Sequence, residues 1–294
     1  MLIEAIEVYR SARLADCEER AFVLTALGIA HELAHEGDHY LLRADPQAAA
    51  AARAQLARYE QERRAPAPPE PAPPRLHRFA WSGCAAYALV LFGVAYAVSN
   101  GFGRLDAFSV GELNALAVQH GQWWRAWTAL TLHLDADHLA ANLGAGVWFG
   151  YLAGRLLGAG VAWALIVLGA GCANLIEGLL GAPEHRAVGA STAVFTALGL
   201  MSAFSWRQHR PFARHWAVRW SPLTAGVVLL GWLGTSGEHT DVFSHLAGFA
   251  VGAALGAAAG TPLGARLLAR VPQPLAGTLA LAAVALAWFL ALRS

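Results

Sequence analysis

Residues 242–260 read VFSHLAGFAVGAALGAAAG. The run carries no charge and approaches the roughly 20 apolar residues that a helix needs to cross a bilayer. Gly248, Gly252, Gly256 and Gly260 recur every fourth residue, so they line one face along which a neighbouring backbone can come close. His245 stands near the head of the same run and near that face. An ionisable group inside a membrane span is costly and faces a protein interior or a water cavity. The stretch therefore reads as a membrane helix that packs tightly on a neighbour and carries a functional side chain.

Outward from it, apolar stretches near 79–98, 136–154, 160–180, 190–205, 222–235 and 275–292 make seven expected spans in all. Of the 294 residues, 56% are hydrophobic and 14% charged, more apolar than a soluble domain requires. The expected fold class is an all-α polytopic membrane protein preceded by a small α+β unit. A net charge of +1 leaves no basic field for nucleic acid, and all 21 basic residues are arginine. Cys17, Cys84 and Cys172 form neither a metal-ligand spacing nor an even framework, and read as packing residues.

Residues 1–78 hold much of the charge, and Glu4, Glu7, Asp16 and Glu18 rule against a signal peptide, so residues 1–64 are expected to be a small soluble domain in the cytoplasm. A strand over 3–10, a helix over 14–27 stopped by Gly28, and a hairpin turning at Glu36-Gly37-Asp38 are expected. Asp45 is expected to cap a following helix with Pro46 at its first position. His31-Glu32-Leu33-Ala34-His35 matches HExxH, which binds zinc from a helix. On a strand the two histidines stand roughly 13 Å apart, too far for one ion, so no metal and no cofactor are expected. The domain is either an appendage without chemistry or a site for a regulatory partner. Residues 65–77, which begin APAPPEPAPP, read as an extended linker.

Arginines set the orientation. Arg75, Arg78, Arg155, Arg207, Arg210, Arg214, Arg219, Arg266 and Arg270 fall on one side of the spans, and Arg104, Arg125, Arg186 and Arg293 on the other. The positive-inside rule then puts the amino terminus in the cytoplasm and the carboxyl terminus outside, as in a multi-pass protein of a bacterial inner (plasma) membrane. Trp123, Trp124 and Trp127 in the outer segment 99–135 suit the membrane interface.

Four polar residues stand where apolar ones are expected: His138 and Asn142 one turn apart on the second span, Ser191 at the head of the fourth, and His245 on the sixth. At 1.5 Å per residue, Ser191 lies about 24 Å from Arg207, His138 about 26 Å from Arg155 and His245 about 24 Å from Thr261. All three thus sit at one level, just below the outer surface. A serine is a weak nucleophile until a base takes its proton, and histidine suits that work. Ser191 and His245 supply the pair, while the Ser191 N–H, the Asn142 amide and a His138 ring N–H could donate to an oxyanion.

These residues resemble the rhomboid family of intramembrane serine proteases over about residues 78–260. Trp124-Arg125 is similar to the family's WR motif, and His133, His138 and Asn142 reproduce HxxxxHxxxN. Gly189-Ala190-Ser191 resembles the GxS nucleophile motif, and His245-Leu246-Ala247-Gly248 with Gly252 the base-bearing helix. The resemblance implies a rhomboid-like core of six transmembrane helices over 78–260, with residues 261–294 adding a seventh. It also implies a Ser-His dyad of Ser191 and His245 without a third acidic member, an oxyanion hole including His138 and Asn142, and substrates that are themselves transmembrane helices in the lipid bilayer. Two positions depart from the pattern: Thr192 stands where the family has glycine, and the acidic residue late in the second span is replaced near Gly154. The competing readings are a rhomboid-fold protein that binds membrane clients without cutting them, and a small transporter, whose site would lie at the bilayer midplane.

Overall fold

The computed structural model describes residues 5–64, 76–101, 106–209, 216–234 and 241–294. It divides into two compact units, Met1–Glu70 and Pro71–Ser294. Of the expected linker, residues 65–75 lie outside the described residues, as do Arg104, Arg210 and Arg214 of the orienting arginines.

The first unit runs β1 (Ile6–Ser11), α1 (Leu14–Ala26), β2 (His31–Glu36), β3 (His39–Ala44) and α2 (Ala49–Arg64). Its antiparallel sheet has the order β1-β3-β2. Helix α1 ends where the sequence indicates. Gly28 takes φ +68°, the Ile29 N–H reaches the Leu24 carbonyl at 2.9 Å and the Gly28 N–H reaches Thr25 at 3.0 Å, a pairing that satisfies the last carbonyls of the helix. Leu24, Ala44, Ala52 and Leu56 form the core. Beside it, buried Arg20 lies over the Tyr9 ring and pairs with Glu60. Asp45 does not cap α2. Its carboxylate accepts from the Gln47 N–H at 2.8 Å, closing a local turn, and the helix begins only at Ala49. His31 and His35 stand on β2, where His31 Nδ1 donates to the Ile29 carbonyl at 2.9 Å and His35 packs beside Tyr40, with 4.5 Å between ring centroids.

The second unit begins with α3 (Trp81–Ser99), then a surface segment of short pieces: α4 (Ala107–Gly111), β4 (Leu113–Asn114), α5 (Ala115–Gln119), α6 (Arg125–Thr128) and a 3₁₀ turn at Ala129–Thr131. There follow α7 (Ala136–Leu157), α8 (Ala159–Leu180), β5 (Arg186–Ala187), α9 (Ser191–His209), α10 (Trp216–Gly234), α11 (Val242–Ala259), α12 (Pro262–Leu268) and α13 (Gln273–Ala291). Among the described residues, α3, α8, α11 and α13 are long and apolar enough to cross a membrane. The other three expected spans are helices too, but more polar. Helix α7 includes Asp137, His138, Asn142 and Arg155, and α10 starts at Trp216 and takes in Arg219 before Pro222. Leu89 and Phe92 on α3, Trp232 on α10, Leu246 on α11 and Leu279 on α13 are exposed, the pattern of faces that meet lipid. Cys172 also lies exposed on α8, so it is not a packing residue as Cys17 and Cys84 are.

Helix α9 is the centre of the bundle. Its Ala193, Val194, Phe195, Ala197, Leu198 and Leu200 are buried against Trp163, Ile166 and Ala170 of α8 and Phe149 of α7. The glycine face of α11 lies on α9: a Cβ at Gly248 would meet the Thr192 carbonyl oxygen at 2.7 Å, and one at Gly252 or Gly256 would collide with the carbonyls of Thr196 and Leu200. Gly199 of α9 is reciprocally closed in by the Phe249 carbonyl. Small residues on both helices thus let the two backbones touch. Helix α13 is tied in at both ends. Gln273 bonds the Val161 N–H and the Leu157 carbonyl, and the Trp288 indole donates to the Thr131 hydroxyl at 3.0 Å.

Candidate active site

The surface segment is held by one arginine. The Arg125 guanidinium is buried and donates to the Gln122 side chain at 2.6 Å and to the Glu112 and Ser109 carbonyls at 2.9 Å each, folding residues 109–125 around itself. Asn174 of α8 donates to the Ala126 carbonyl at 2.9 Å, and Trp127 fills the space that Gly171 leaves open. This fixes Ala129, whose carbonyl accepts the Gly189 N–H at 3.0 Å. The chain just ahead of Ser191 is therefore pinned from the surface segment.

His133, His138 and Asn142 close on that same stretch. The Ala190 N–H points at His133 Nε2 at 3.3 Å, which requires that nitrogen to be unprotonated. Burial, with His138 nearby, pushes the His133 pKa down to about 4, so the ring is neutral and can accept. The His133 and His138 rings meet edge to face with centroids 5.1 Å apart. Asp135 caps α7 by accepting the His138 N–H at 2.7 Å, which sets His138 in the first turn, and buried Asn142 follows one turn later. Gly189 has φ +128°, and a Cβ there would meet His138 Nε2 at 2.7 Å and Asn142 Nδ2 at 3.7 Å. Both side chains thus lie over the Gly189 backbone, two residues before Ser191.

Ser191 is half-buried and is the first residue of α9. Its fourth successor, Phe195, lies on the same helix face, and the His245 imidazole rests on the Phe195 ring with 4.3 Å between centroids. His245 is itself buried. Its Nδ1 lies 2.9 Å from the carbonyl oxygen of Gly234 at the end of α10. A carbonyl can only accept, so Nδ1 holds the proton and Nε2 is left with its lone pair. Among the described residues the Ser191 hydroxyl makes no hydrogen bond.

Two side chains that no short-range pattern couples join the site. Buried Glu177 of α8 accepts from the Ser244 hydroxyl at 2.8 Å and pairs with His185 at 2.8 Å. Ser244 Oγ lies 2.8 Å from Thr192 Oγ1. Glu177 and Asn174 interrupt the apolar run 160–180 and satisfy the rule that marks His138 and Asn142, yet the sequence gives neither a partner. Glu177, His185 and Asp241 bring one ligand atom each to within 4.8 Å of one another. Their separations of 2.8 and 3.2 Å are those of groups bonded to each other.

Residues 120–261 match the rhomboid domain family model, a range that contains His133, His138, Asn142, Glu177, Ser191 and His245. The chain carries a rhomboid domain over these residues. Over 110 residues it is 36% identical to the rhomboid protease GluP of Bacillus subtilis (strain 168). The aligned stretch is 37% of this chain and spans 21% of the length of that relative. With this domain and four helices of membrane length and composition among the described residues, the chain is an integral membrane protein. Its rhomboid domain contains both departures noted in the sequence, Thr192 and Gly154. Thr192 is buried with its hydroxyl turned to Ser244, and Gly154 closes on Ala80 of the segment leading into α3, where a Cβ would meet Ala80 Cβ at 3.2 Å.

Proposed function

We propose that this protein is an intramembrane serine endopeptidase that cuts transmembrane helices of other membrane proteins. The observation that carries the reading is the hold on His245: Phe195 sets its plane on the Ser191 face of α9, and the Gly234 carbonyl sets its tautomer. A backbone carbonyl does for this imidazole what a carboxylate does in a three-membered system.

In this reading Ser191 Oγ attacks the scissile carbonyl carbon while its proton passes to His245 Nε2. The resulting oxyanion accepts from the Ser191 N–H, the Asn142 side-chain amide and the His138 ring, the last two of which lie over Gly189. His245 then gives the proton to the departing amine, leaving an acyl-enzyme on Ser191. A water molecule, deprotonated by His245 in turn, releases the acid and restores the serine. A regular helix hides its carbonyls in backbone hydrogen bonds, so the substrate must unwind at the site.

The amino terminus is assigned to the cytoplasm and the site to the outer face of a bacterial plasma membrane, on the arginine distribution. Residues 78–260 form the protease core, 261–294 add a further span, and residues 1–64 are left to regulation or partner binding. The test is cleavage of a model transmembrane substrate in proteoliposomes by folded Ser191→Ala and His245→Ala proteins. Each is expected to lose measurable cleavage, and the double variant to be no worse, because the pair acts as one unit. Full cleavage by folded Ser191→Ala protein would remove the reading.

A further inference from the structure

Behind the Ser191–His245 face runs a chain of hydrogen bonds that the dyad chemistry does not use. Glu177 Oε2 accepts from Ser244 Oγ at 2.8 Å, and Ser244 Oγ lies at hydrogen-bond distance, 2.8 Å, from Thr192 Oγ1. On its other oxygen Glu177 takes the His185 Nε2 contact at 2.8 Å, and that nitrogen also lies 3.2 Å from Asp241 Oδ2. Asp241 caps α11 through its other oxygen, which receives the Ser244 N–H at 3.1 Å.

The placement of these groups gives them a role. Thr192 is the residue after Ser191, and Ser244 is the residue before His245. All of Thr192, Ser244 and Glu177 are buried. The carbonyl of Thr192 also faces Gly248, and its Cγ2 lies 3.2 Å from where a Gly248 Cβ would stand. Apolar packing along the glycine face leaves helices free to slide by fractions of an ångström, whereas a buried hydrogen-bond chain to a carboxylate admits one register.

We propose that Glu177 is a positioning residue of the protease site: acting through Ser244 and Thr192, it sets the register of α9 against α11 at the level of Ser191 and His245. The proposal rests on the reading of those two as nucleophile and base. It also gives Thr192 a use, since glycine at that position would have no hydroxyl to join the chain.

The test uses the full chain in detergent, with kcat and KM for a transmembrane substrate and the melting temperature measured together. Thr192→Val keeps the branched shape and removes the hydroxyl, whereas Thr192→Ser keeps the hydroxyl and removes the methyl. Ser244→Ala and Glu177→Met remove the middle and the end of the chain. Thr192→Val and Ser244→Ala are each expected to lower kcat by about tenfold at nearly constant KM, from the loss of one buried hydrogen bond in the reacting geometry. The double variant is expected to fall no further, because the link is lost once. Glu177→Met is expected to behave like Ser244→Ala, and Thr192→Ser to recover kcat to within about threefold of the unaltered protein. Unaltered kcat in Thr192→Val, a Thr192→Ser as slow as Thr192→Val, or additive losses in the double variant would each overturn the proposal. Cleavage surviving in Ser191→Ala is a separate outcome and would remove the dyad reading itself.

Discussion

The Phe195 ring and the His245 imidazole lie 4.3 Å apart between centroids, at an angle of 38°. Because Phe195 stands one turn beyond Ser191 on α9, this contact places His245 on the Ser191 side of the helix, as the proposed dyad requires. The imidazole is otherwise held at one point only among the contacts described, Nδ1 against the Gly234 carbonyl, about which it could swing.

Replacing the ring while keeping an apolar side chain tests that support. Phe195→Leu is expected to lower kcat by about tenfold, the cost of losing roughly 1.4 kcal/mol of orientation. The melting temperature should fall by only a few degrees, since core swaps of this kind cost about 1–3 kcal/mol. A kcat equal to that of the unaltered protein would show that the ring does not orient His245.

Gly189 makes a sharper case. At φ +128° it occupies backbone space that side chains rarely enter, and a Cβ would press on His138. Gly189→Ala is expected to displace the loop and reduce cleavage by about 10²-fold, the loss typical of an oxyanion site deprived of one donor. Circular dichroism should show the helix content retained.

The glycine face of α11 and the open glycine of α3 should respond in opposite ways. A Cβ at Gly252 collides with the Thr196 carbonyl, whereas one at Gly93 meets nothing within 4 Å. Gly252→Ala is therefore expected to lower the melting temperature, and Gly93→Ala to leave it unchanged or raise it by the gain in helix propensity, up to about 1 kcal/mol. Equal effects at both positions would contradict the close α9–α11 contact.

His133 supplies a pH dependence. Its pKa falls from 6.5 to about 4 in the folded protein, so as the pH drops through that interval the unfolded chain takes up a proton before the folded one does. Stability should accordingly decrease from about pH 6.5 to about pH 4, and below that the Ala190 N–H loses its acceptor. Melting curves across this range should be flatter for His133→Leu than for the unaltered protein. Parallel curves would show that His133 does not carry the effect.

What could be read in advance depended on spacing. His138 and Asn142 are one turn apart, and Gly248, Gly252 and Gly256 repeat every four residues, so a shared helix face follows from helical geometry alone. The neighbour of that face, α9, follows only from the fold. The same is true of the Gly234 carbonyl beside His245, a backbone group that sequence never marks, and of the Glu177–Ser244 bond, which joins residues on separate helices. Asp45 misled because an Asx-turn and a helix cap draw on the same side-chain chemistry. In the fifth expected span the charge of Arg219 concealed that the helix already begins at Trp216.

The central claim is that Ser191 is activated by His245. Reacting the detergent-purified protein with a fluorophosphonate and locating the adduct by mass spectrometry tests it most directly. A single adduct on Ser191 is expected, absent from Ser191→Ala and formed far more slowly in His245→Ala at unchanged melting temperature. An adduct elsewhere, or labelling of Ser191 at the same rate without the histidine, would contradict it.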